Sequence, residues 1–226
     1  MTMHSRQSRR SFMSALTSLA GVAAIDVAAS PAAAQSSSAA ASAAASAAAP
    51  AWDLEWMDDL KAKHRQVFDL GEVNLVADAR PLRFPRNYLD AFHDVFALDF
   101  PEVKTIVGIS GTAFGINASD RLWEKYALGE RSKIIDPATK QPAIRNVFLN
   151  EESLGVKALQ ARGTIFWQCN IALNNIAQQL ATARQLAVAD VRADLLAGLN
   201  PGVRLVPSHV MAMGMVQERG VTYVRI

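Results

Sequence analysis

From Leu70 onward, short apolar runs alternate with stretches in which apolar residues recur every three or four positions. The first pattern fits a buried strand and the second a one-sided helix. Residues 72–77 (EVNLVA) predict a strand. Leu89, Phe92, Val95 and Phe96, following Pro85, predict a helix over 86–98. Residues 103–109 (VKTIVGI) predict a second strand, and 119–128 a helix with Ser119 as N-cap and Leu122 and Tyr126 on one face. Residues 129–148, with Pro137, Pro142 and mixed charge, predict a long surface loop. A helix over 151–162 stops at Gly163. There follow a third strand over 164–168 (TIFWQ), helices over 171–186 and 189–196, a turn at Asn200-Pro201-Gly202, and a fourth strand over 203–206. A helix over 208–219 ended by Gly220 and a fifth strand over 221–224 close the chain.

Strand and helix alternating in this way predict an α/β domain: a single doubly wound, mainly parallel five-stranded sheet with helices on both faces. Sites in such sheets form beyond the carboxyl ends of the strands. The chain contains no internal repeat.

The N-terminal part reads differently. Ser8-Arg9-Arg10-Ser11-Phe12-Met13 is a paired-arginine motif, an apolar stretch runs from Phe12 to about Ala29, and Ala32-Ala33-Ala34 is a small-residue exit. These features predict a twin-arginine signal peptide over 1–34, cleaved near Ala34, and export to the periplasm in the folded state. An uncleaved membrane anchor is the competing reading. It is opposed by the shortness of the stretch and by Asp26 within it, which costs about 3 kcal/mol in hydrocarbon. Residues 35–51, nearly all Ala and Ser, predict a linker, so the folded domain is expected over 52–226. No later apolar run is long enough to span a bilayer.

Charge narrows the partners. The formal net charge is +2, but residues 1–34 hold Arg6, Arg9 and Arg10 against Asp26. Without them basic and acidic residues balance at 20 each (23 less 3, and 21 less 1). A neutral chain lacks the basic field on which nucleic-acid affinity rests, so no nucleic-acid partner is expected.

The chain has a single cysteine, Cys169, which excludes an intramolecular disulfide and leaves a thiol that is buried and inert, reactive, or paired between chains. Cys169 falls between the third strand and the next helix. Free N–H groups and the helix dipole there stabilise a thiolate, with Asn170 available to cap the helix; the alternative is an inert core thiol. His209 and Ser208 hold the corresponding place after the fourth strand. If those strands are neighbours, both approach Cys169, where a histidine can serve the thiol or its anion; otherwise they touch only water and backbone. Arg162 and Arg204 are candidate cations on flanking elements. His64 and His93 read as scaffold. No ligand spacing supports a metal, no CxxCH exists for haem, and no cofactor is expected. The glycines from Gly108 to Gly115 match neither dinucleotide nor P-loop spacing and predict a tight strand-to-helix turn. Ser110 and Ser208 lack the setting of a hydrolase nucleophile.

Three segments carry a resemblance: Gly163-Thr-Ile-Phe-Trp-Gln-Cys169-Asn-Ile-Ala-Leu173, Leu199-Asn-Pro-Gly-Val-Arg-Leu-Val-Pro207-Ser-His-Val210, and Gln217-Glu-Arg-Gly220-Val-Thr-Tyr223-Val. Together they resemble the DsrE/DsrF-like family over about residues 70–226, most closely in the C-terminal half. The resemblance implies a five-stranded parallel α/β layer assembled as trimers or hexamers, with the late apolar residues Met211, Met213 and Met215 available for contacts. It also implies persulfide sulfur on the residue matching Cys169. An export signal and Val221, where an aromatic residue is common, depart from the family pattern, and the first removes the chain from cytoplasmic sulfur relays. The expectation is a periplasmic sulfur carrier working with sulfur donor and acceptor proteins or small sulfur compounds. The alternatives are a non-catalytic small-ligand-binding or assembly protein and a thiol-dependent redox enzyme. The missing second Cys argues against the last.

Overall fold

The structure, a computed structural model, describes residues 52–71 and 81–226. The expected signal peptide, the linker and the strand expected over 72–77 lie outside the described residues. Residues 52–226 fall within one compact unit.

The protein has an α/β fold around a five-stranded, all-parallel sheet. The strands are β1 (His64–Leu70), β2 (Val103–Ile109), β3 (Ile165–Cys169), β4 (Arg204–Val206) and β5 (Thr222–Arg225), in spatial order β4-β3-β2-β1-β5. Between them lie α1 (Arg83–Phe96), α2 (Phe114–Asn117), α3 (Asp120–Tyr126), α4 (Leu128–Arg131), α5 (Val156–Ala161), α6 (Asn170–Arg184), α7 (Val188–Ala197) and α8 (His209–Glu218). The apolar run of β2 reflects its central place, buried on both faces. β1 escaped the apolar pattern because its first half, His64-Arg65-Gln66, is polar; only Val67, Phe68 and Leu70 are buried.

Side-chain alternation along the strands divides the core. On one face Leu70, Val107, Ile109 and Phe166 pack with residues of α1 to α7, including Leu89, Leu122, Leu159, Leu173, Leu180 and Leu195. On the other, Val67, Ile106, Trp167 and Val206 pack with Ala212, Met213 and Val216 of α8 and with Trp56 and Met57 of a 3-10 turn. Each fully buried leucine contributes about 1.5–3 kcal/mol, so the first face carries most of the hydrophobic stabilisation. The topology accounts for the division. The chain steps from β1 to β4 in one direction, which right-handed crossovers turn into helices on one face. It then reverses to reach β5 beyond β1, which sends α8 to the opposite face.

Three local expectations are corrected. Residues 129–148 are not a surface loop: Ile134, Ala143, Asn146 and Phe148 are buried. Asn146 ties the segment down, its Nδ2 donating to the carbonyls of Ile116 (3.0 Å) and Ala118 (2.6 Å). Its apolar residues stand singly among charges and prolines, so no period betrays them. The helix expected over 151–162 begins only at Val156, after Gly155. Met213, expected to serve a subunit contact, is buried against the sheet, while Met211 stays exposed.

Candidate functional site

The connection after β3 leads to α6 on one face, and the connection after the adjacent β4 leads to α8 on the other. Neighbouring strands whose connections part in this way open a crevice at their carboxyl ends. Cys169 ends β3 there, in register with Val206 of β4, and Ser208 and His209 follow β4. The structure therefore brings together the three residues singled out from the sequence.

Cys169, and not Asn170, is the N-cap of α6. Its Sγ accepts hydrogen bonds from the backbone N–H of Ala172 at 3.5 Å and of His209 at 3.3 Å. One donor belongs to the first turn of α6 and the other to the first turn of α8, so two helix N-termini converge on the sulfur, an arrangement that favours negative charge there. Asn170 instead accepts from the Arg192 guanidinium at 3.0 Å. The Cys169 side chain is almost wholly buried, yet it lines a cavity of about 1040 Å³ open at the carboxyl edge of the sheet. Ser208, Ser110 and His209 line the same cavity.

The His209 imidazole is engaged away from the thiol. Its Nδ1 accepts from Trp167 Nε1–H at 3.1 Å, and since an indole N–H only donates, Nδ1 is unprotonated. Nε2–H then donates to Asp69 Oδ1 at 2.8 Å. The other carboxylate oxygen, Oδ2, accepts from the Tyr223 hydroxyl at 2.8 Å. That hydrogen bond, helped by partial desolvation and the Asp69 charge, raises the Tyr223 pKa above the ordinary tyrosine value. The result is a polar chain, Tyr223–Asp69–His209–Trp167, that joins β5, β1, α8 and β3. Its effect on Cys169 passes through the backbone: by fixing the His209 ring it fixes the N–H that points at Sγ.

Arg162 and Arg204 are elsewhere. Arg162 pairs with Asp90 at 2.6 Å and Arg204 with Asp53 at 3.1 Å. Each precedes or begins its strand, which puts it at the amino edge of the sheet, opposite the thiol. Among the described residues the cations that do line the cavity are Arg131, Lys133 and Arg225. His64 stacks on Phe92 (centroids 4.4 Å apart) and His93 bonds Asp99 at 2.9 Å, both as scaffold. The glycines after β2 do not all make one turn. Gly108 lies within β2 beneath the Trp167 ring, and Gly111, at φ 51°, makes the sharp exit from the strand. Among the described residues no three His, Cys, Asp or Glu side chains are grouped to hold a metal ion. No helix among the described residues is long and apolar enough to cross a membrane.

Sequence reasoning missed Asp69, Trp167 and Tyr223, which are polar or aromatic residues inside strands, and the cations of the cavity rim. The one available signal was the Asp placed next to last in β1, beside the carboxyl edge.

No family model and no curated protein matches the chain. Among solved structures it is similar to a protein of unknown function from Methanobacterium thermoautotrophicum, MTH1491. The two are 18% identical, the match covers 72% of this chain and 99% of the other, and the TM-score is 0.38, too slight a likeness to bear on fold or function.

Proposed function

We propose that this is an exported sulfur-handling protein of the DsrE/DsrF-like type that holds sulfane sulfur as a persulfide on Cys169. The observation that carries the reading is the environment of Cys169 Sγ: two backbone N–H donors from two helix N-termini, at the crevice between β3 and β4, beside a large cavity. In loading, the Cys169 thiolate attacks the outer sulfur of a donor persulfide R–S–SH. A new S–S bond forms to Cys169, the donor S–S bond breaks, and R–S⁻ departs and takes a proton, so no external oxidant or reductant is consumed. The two N–H groups that hold the thiolate also stabilise it as the leaving group when the sulfur is passed on. A single thiol suffices for such a carrier.

Intact-mass measurement after exposure to polysulfide tests the reading. Wild type should gain the mass of one sulfur atom, reversibly with a thiol reductant, and Cys169→Ser should gain none while melting as wild type does. If the folded protein stays unloaded and only the unfolded chain takes up sulfur, Cys169 is a core residue and the carrier reading fails.

The cavity favours a second reading, the binding of a small ligand without turnover. About 1040 Å³ is far more room than one sulfur atom needs and falls at the upper end of organic-ligand sites.

A further inference from the structure

The walls of the cavity carry a charge imbalance that the sulfur chemistry of Cys169 does not require. Arg131, Lys133 and Arg225 line it, and among the described residues the one carboxylate lining it is Asp69, whose two oxygens are occupied by His209 and Tyr223. Among the described residues none of the three cations is in an ion pair, whereas Arg121, Arg162, Arg204 and Arg219 each have an aspartate. The cations share the cavity with the thiol but stand on other elements. Arg225 lies on β5, in register with Asp69 of β1. Arg131 donates to Gln179 of α6, ten residues beyond Cys169, or about 15 Å along the helix axis. The cavity also carries apolar side chains, Ile171 and Val210 exposed at the starts of α6 and α8 and Ile176 further into α6.

We infer that the cavity reversibly binds an organic anion with an apolar body, its acidic groups held by Arg131, Lys133 and Arg225 and its body lying over Ile171, Ile176 and Val210. The inference rests on reading this cavity as the functional site, but not on the thiol reacting. A small inorganic oxoanion would leave most of the volume and the apolar side chains unused. A neutral apolar ligand would partly desolvate three cations and supply no anionic partner to any of them.

The test is fluorescence titration of the full chain with 1-anilinonaphthalene-8-sulfonate, a probe with one anionic group and an apolar body. Saturable binding of one probe per chain is expected, retained in Cys169→Ser, so that it stands or falls separately from sulfur loading. Arg225→Gln and the pair Arg131→Gln with Lys133→Gln should each weaken binding about tenfold, the scale of a lost charge-assisted hydrogen bond. Arg145→Gln, an exposed cation outside the cavity, should leave it unchanged. Sodium sulfate should displace the probe no better than sodium chloride of equal ionic strength. The inference is overturned by non-saturable binding, by equal losses in Arg145→Gln and the cavity variants, or by sulfate displacing the probe far better than chloride.

Discussion

Gly108 sits in the middle of the sheet because the Trp167 indole lies over it, and replacing it by alanine tests how the candidate site is held. A Cβ at position 108 would meet Trp167 Cζ2 at 2.6 Å, Trp167 Cε2 at 2.7 Å and Met213 Cε at 2.7 Å. The methionine end can swing aside. The indole cannot: it is fully buried, packs against Trp56 at 6.2 Å and donates to His209 Nδ1 at 3.1 Å. Relieving the clash requires the ring to move by about 1 Å, which takes the Trp167–His209 bond beyond hydrogen-bonding range. Overpacking costs about 1–3 kcal/mol and an orphaned buried acceptor about 1–3 kcal/mol, part of which the ring's movement supplies twice over, so Gly108→Ala should destabilise by about 2–4 kcal/mol. For a domain of this size that is a fall in Tm on the order of 10 °C. Gly214 provides the opposite case. It lies inside α8 with nothing within 4 Å of a Cβ, so Gly214→Ala should stabilise by about 0.5–1 kcal/mol. Thermal unfolding followed by circular dichroism reads both. Because the His209 ring is released, Gly108→Ala should also load sulfur on Cys169 more slowly at a temperature where it remains folded. A Gly108→Ala protein within about 0.5 kcal/mol of wild type would refute the reasoning, since the indole would then have room that the packing denies it.

Acid stability should depend on Asp194, a residue of α7 that receives Arg121 (2.5 Å), Lys125 (2.9 Å) and the Tyr126 hydroxyl (2.7 Å) from α3. Burial pushes its carboxyl up, but hydrogen bonds from Lys125, Tyr126 and Arg121 outweigh it and hold the pKa at about 2 against an ordinary 3.8. A lowered pKa stabilises the fold above the ordinary value and loses that stability as pH falls through the folded one. Asp194→Asn should therefore flatten the stability profile between about pH 4 and pH 2, by about 1–2 kcal/mol once the half-exposed cations are discounted for solvent screening; an unchanged acid limb in urea melts would contradict this. Export is tested by replacing Arg9 and Arg10 with lysine, which should leave the protein in the cytoplasm; unchanged export from a strain lacking the twin-arginine translocase would remove the periplasmic assignment.

The parts of the fold legible in the sequence are those where one physical term dominates. β2 is buried on both faces and shows as a mostly apolar run, α6 shows because a strand precedes it, and α8 because a strand precedes it and Gly220 follows. β1 was missed because polarity at its first three positions outweighs three buried apolar residues, and 129–148 was misread because its burial depends on Asn146 reaching the carbonyls of α2 and of the residue after it. The site divides in the same way. Cys169, Ser208 and His209 were found by a topological rule that needs only the order of strands and helices. What the His209 ring does was not found, because its partners Asp69 and Trp167 lie 140 and 42 residues away and come within reach only once strand order is known.

That strand order also explains why the polar chain sits where it does. Among the described residues α8 is the one α-helix whose side chains enter the second core cluster, so no other α-helix in that cluster holds its start. The Ser208 side chain makes no cap bond to α8. In its place the first helical residue is pinned three times: its N–H to Cys169 Sγ, its Nδ1 by Trp167, and its Nε2–H to Asp69. All three anchors stand on β3 or β1, strands whose positions the main core fixes. The sulfur is thus a hydrogen-bond acceptor for a helix that the sheet itself orients, and sulfur added to Cys169 would extend from that fixed point toward the cavity lined by Arg131, Lys133 and Arg225.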